Sequence, residues 1–109
     1  MHIQSHITQL QLHQVYITIE PGMVSAGVFS AGVRWMRDST GPDSCRFVQD
    51  DVPGWVRCNF FLNGSSATLR VCQNQHADAT EAEVLKDEKI IAQLSTQSAV
   101  KTQRFDYLE

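Results

Sequence analysis

Asn63-Gly64 lies between two runs of alternating side chains, Trp55–Leu62 and Ser65–Cys72, and constrains the fold more than any other feature of the chain. A two-residue hairpin loop of type I′ needs positive φ at both positions, which Asn and Gly tolerate best. With Leu62 opposite Ser65, one face carries Val56, Cys58, Phe60 and Leu62 against Ala67, Leu69 and Val71. The other carries Trp55, Arg57, Asn59 and Phe61 against Ser66, Thr68, Arg70 and Cys72. The first face is core material. A slip of one residue would drive Thr68 and Arg70 into it, because side chains alternate with period two. A four-residue loop, Asn63 to Ser66, keeps the alternation and remains an alternative. The tight register sets Arg57 directly opposite Arg70, an unfavourable pair unless an anion sits nearby, whereas the wider loop sets Arg70 opposite Asn59.

Upstream, residues 1–12 fit helix or strand equally. From His13 the pattern clears: Val15, Ile17 and Ile19 alternate with Gln14, Tyr16, Thr18 and Glu20, as in a half-buried strand. Pro21-Gly22 supplies a type II turn. Val24 to Arg37 reads as a strand containing the echo Ser25-Ala26-Gly27-Val28 and Ser30-Ala31-Gly32-Val33, with Phe29, Ala31, Val33 and Trp35 on one face. Its glycines mark a bulge, a bend or a close backbone approach. Residues 38–54 form a long loop holding Cys45, with Arg46-Phe47-Val48 as a brief strand inside it. Beyond the hairpin, residues 74–78 read as a linker. Thr80 with Glu83 then forms a capping box that predicts a helix to about Leu94, its apolar stripe made by Val84, Ile91 and Leu94. Ser98 to Tyr107 reads as a last strand, and Leu108-Glu109 resembles a cloning scar.

At 109 residues the chain is expected to form a single domain, 1–109, with a core of its own. The net charge of −3 is unevenly spread. Five arginines face four aspartates in residues 33–72, and seven acids face four bases in residues 73–109. That balance argues against a nucleic-acid partner, which a basic patch would serve. No run approaches the roughly 18–20 apolar residues that span a bilayer, so a membrane role is not expected either. The three cysteines cannot all pair internally, and Cys58 and Cys72 fall on opposite faces of the hairpin. With no leader at the N-terminus, a cytoplasmic protein with reduced thiols is the expectation.

Motifs with known chemistry fail on inspection. Gly27 and Gly32 have the spacing of a phosphate loop, but Val33-Arg34 follows where Lys and Ser or Thr are needed. No metal site is expected: His2/His6 and Cys72/His76 lack companion ligands, and the aspartates at 38, 43, 50 and 51 do not follow a calcium loop. Cys45 beside Arg46 is the one thiol in a basic setting, without a base that the sequence places near it. Trp55, Arg57, Phe61 and Arg70 are the candidate binding residues. They combine large aromatic area with guanidinium chemistry, and the same face equally fits ordinary sheet pairing with an arginine stacked on Trp55 or Phe61.

The expected fold is thus α+β, an antiparallel sheet of about four to six strands with one main helix on its apolar face. The expected function is that of a non-catalytic binding or accessory protein, without cofactor, acting on a protein partner or on a second copy of itself. The alternative is a pocket between sheet and helix, binding or catalytic, for a small anionic or aromatic ligand that the arginines clamp.

Overall fold

A computed structural model describes residues 12–28, 31–36, 46–73, 80–95 and 101–108. These residues form nine strands: β1 (Leu12–Glu20), β2 (Met23–Val28), β3 (Ala31–Met36), β4 (Val48–Gln49), β5 (Trp55–Leu62), β6 (Ser65–Gln73), β7 (Thr80–Lys86), β8 (Lys89–Ser95) and β9 (Thr102–Leu108). All neighbouring strands are antiparallel. The first sheet has the order β3-β2-β1-β9 and the second β4-β5-β6-β7-β8. They pack face to face, with β1 over β7 and β8, β3 over β5, and β9 beside β8.

The α+β expectation is overturned: the described residues are all-β, and no helix covers a sheet. The segment expected to be that helix is the β7–β8 hairpin. Its alternation decides the outcome, since Ala82, Val84, Ala92 and Leu94 are buried while Glu81 and Gln93 face water. Glu, Ala, Leu and Lys favour helix locally, but the propensity is a weak prior that burial against a second sheet outweighs. Asp87 and Glu88 make the turn with φ of 51° and 65°. Neither Gly nor Asn announces it in the sequence. An irregularity between Val84 and Leu85 leaves Ile91 unpaired and resets the register of β8.

The segment expected to be one strand from Val24 is also a hairpin, β2 and β3. Its inward face carries Val24 and Ala26 opposite Trp35 and Val33. Gly27 lies opposite Gly32, and a Cβ at Gly32 would stand 2.2 Å from the Ala26 carbonyl oxygen. The glycines therefore mark a close backbone approach, one of the readings their positions allowed. Phe29 lies outside the described residues, as do Cys45, His76 and the linker at 74–78.

The β5–β6 hairpin forms in the tight register, Leu62 opposite Ser65, and Asn63 and Gly64 have φ of 51° and 81°. The sheets share one core, in which Val15, Ile17, Val24, Leu62, Leu69, Val71 and Val84 are fully buried. Polar side chains tie its turn-side end. The Asn63 side-chain amide donates to His13 Nδ1 at 2.8 Å and to the Tyr107 hydroxyl at 3.3 Å. The His13 ring stacks on Tyr107 with 5.4 Å between centroids, and the Lys86 ammonium lies 5.4 Å from the Tyr107 ring centre. Leu108, given no structural role from sequence, pairs with Leu12 at the end of β9.

Candidate functional site

The outward face of the second sheet brings the four candidate residues onto one surface and gives them different roles. Arg57 stands opposite Arg70, as the tight register requires, and the anion that such a pair needs is present twice. Glu83 is the neighbour of Arg70 on β7, and its carboxylate accepts from Nη1 at 2.5 Å. Asp50 reaches over from the segment before β5 and accepts from Nη2 at 2.8 Å. A small turn holds Asp50 there: its amide donates to the Trp55 carbonyl, Trp55 donates to the Val52 carbonyl, and the Val52 amide donates to the Asp50 carboxylate at 3.1 Å.

Arg70 also lies 5.0 Å from the centre of the Trp55 ring, its diagonal neighbour across the strands. Its Nε is sealed from solvent without a hydrogen-bond partner. Arg57 is held loosely, with Nε 3.8 Å from Asp50 and nearly half its side chain exposed. Phe61 belongs to none of these contacts and is 79% exposed.

The two carboxylates respond oppositely to this setting. Burial raises the Asp50 pKa, but the Val52 amide and the charges of Arg70 and Arg57 outweigh it and leave the group below the ordinary aspartate value. Burial pushes Glu83 up. Arg70 opposes that rise, while the negative charges of Asp50 and Glu81 add to it.

Between the arginines and the β7–β8 turn runs an open groove of about 360 Å³, lined by Asp50, Arg57, Thr68, Arg70, Asp87 and Glu88 among others. Ser66, also in the lining, faces Phe61 across the strands. Leu85 of the lining faces Thr68 on one side and the half-exposed Ile90 on the other.

The helix expected to wall a pocket against the sheet does not form among the described residues, where Thr80–Ser95 is the β7–β8 hairpin. The anion clamp also loses its main element, since Arg70 is already matched by two carboxylates. Asp50 and Glu83 escaped the sequence reading for separate reasons. In the sequence Asp50 is one of four aspartates in a segment that reads as a long loop, and Glu83 fits a helix capping box. The signal that pointed to them was the need for an anion between two opposed arginines.

No group of His, Cys, Asp and Glu among the described residues is arranged to hold a metal ion. Cys58 is buried as its position on the apolar face requires, but it is disulfide-bonded, whereas Cys72 is free. This corrects the expectation of reduced thiols throughout. Disulfides are rare in the cytosol, so the cysteines no longer support a cytoplasmic assignment. No helix among the described residues is long and apolar enough to cross a membrane. Neither a protein-family model, nor a curated protein, nor a solved structure matches the chain.

Proposed function

We propose that this is a non-catalytic binding protein that meets another protein, or a second copy of itself, through the outward face of the second sheet. The observation that carries the reading is Phe61. The Phe61 phenyl ring is 79% exposed on a strand whose backbone is held by β6, with Ser66 directly opposite. A large exposed aromatic side chain on the same sheet face as a guanidinium has the composition of an interface hot spot. Arg57, loosely paired and half exposed, is the guanidinium free to take part. Trp55 and Arg70 lie on the same face and stack on each other.

Arg70 is therefore a poor probe of binding. Its removal would leave Asp50 and Glu83 uncompensated and cost on the order of 2–3 kcal/mol, less than for a fully buried pair because the site keeps some solvent contact. Phe61→Ser and Arg57→Ala are the informative variants. Together they should leave the melting temperature nearly unchanged, while capture of a partner by the immobilised chain, or self-association in sedimentation, falls several-fold. Undiminished association in the double variant would remove this face as the interface.

A further inference from the structure

We infer that the groove beside Phe61 receives a basic segment of the partner protein, one that presents a lysine or arginine next to an apolar residue. The inference rests on the interface reading above and specifies its chemistry. Its first support is the charge that lines the groove. Arg70 is matched by Asp50 and Glu83. Asp87 and Glu88, both exposed, stand at the turn-side end of the groove. Among the residues that line the groove, the carboxylates of Asp50, Asp87 and Glu88 outnumber the guanidiniums of Arg57 and Arg70, the reverse of the balance an anionic ligand would need.

Its second support is the apolar surface around the same end. Phe61 faces Ser66 of the groove, and Ile90 faces Leu85, so exposed apolar groups stand on both sides of the lining. A small polyamine would satisfy the carboxylates but leave these groups in water. A peptide segment can satisfy both, with its ammonium or guanidinium at Asp87 and Glu88 and its apolar neighbour against Phe61. Exposed charges at such a rim chiefly set encounter and orientation, and burial of the ring slows release.

The test uses the full chain and a fluorescein-labelled peptide of alternating lysine and leucine, followed by anisotropy. The comparisons are the same peptide with glutamate in place of lysine, and spermine as a competitor. The lysine peptide should bind, and its affinity should fall as salt is raised. It should fall roughly tenfold in the double variant Asp87→Asn, Glu88→Gln, as expected for the loss of two exposed ion pairs. Phe61→Ser should weaken it as well, and the glutamate peptide should not bind. Failure of the lysine peptide to bind, equal binding of the glutamate peptide, or displacement by spermine at matched charge concentration would each overturn the inference. Weakening by Phe61→Ser alone, with the acidic variant unaffected, overturns the basic segment and leaves the interface reading standing. Binding unaffected by either variant overturns both.

Discussion

Arg70 is held by three unlike contacts: Glu83 on the next strand, Asp50 from the preceding segment, and the Trp55 ring beneath its plane. Strand pairing alone supplies Glu83, because the register sets it opposite Arg70. Asp50 is recruited by a local turn, and that makes its contribution separable by pH. Its folded pKa lies below the ordinary aspartate value, so the stability it adds is fully present above that value and is lost as pH falls through the lowered one. Glu83 has the opposite sign. Its folded pKa is raised, so its ionisation costs stability as pH climbs through and above the ordinary glutamate range. In a comparison of Asp50→Asn with the parent chain, the melting-temperature gap should be widest near neutrality. It should close as the pH is taken below the ordinary aspartate value. A gap independent of pH would mean that Asp50 acts through its hydrogen-bond geometry and not its charge.

The two faces of the β5–β6 hairpin were legible residue by residue, whereas the opposed arginines belong to the tighter of the two loops its alternation allows. The β7–β8 hairpin was not legible, because Asp87 and Glu88 adopt the left-handed backbone of Asn63 and Gly64 without the residues that favour it. Asp tolerates that region moderately and Glu poorly. With no turn signal between them, two short alternating runs merged into one stretch of helix formers. The β2–β3 hairpin was lost in a similar way, since Val24 to Arg37 shows one alternating run with no Asn-Gly or Pro-Gly turn inside it. Replacing Asp87-Glu88 by Asn-Gly should therefore stabilise the chain by roughly 0.5–1 kcal/mol, a rise of a few degrees in melting temperature. No gain would mean that the two carboxylates contribute to the fold in a way their exposure does not show. The same replacement removes both groove acids, so the stabilised chain should also bind the lysine peptide less well.

At the scale of the whole molecule the candidate face was more legible than the architecture around it. All four residues named from the sequence do share one surface, since one well-signalled hairpin carries them. What that surface packs beneath was misjudged, because a second sheet and a helix bury an apolar sheet face equally well and only the β7–β8 turn distinguishes them. The two sheets are each built from neighbours in sequence, with one exception: β9 returns to pair with β1, joining Thr102–Leu108 to Leu12–Thr18. That pairing has by far the longest reach, and closing so large a loop is slow and entropically costly. Until it closes, β1 offers one bare edge whose hydrogen bonds the β9 of any copy can satisfy equally well. Chains refolded at high concentration should accordingly yield dimers that exchange their final strand, separable by size from chains refolded dilute. The strand that completes the fold is thus also the one by which two copies can become entangled.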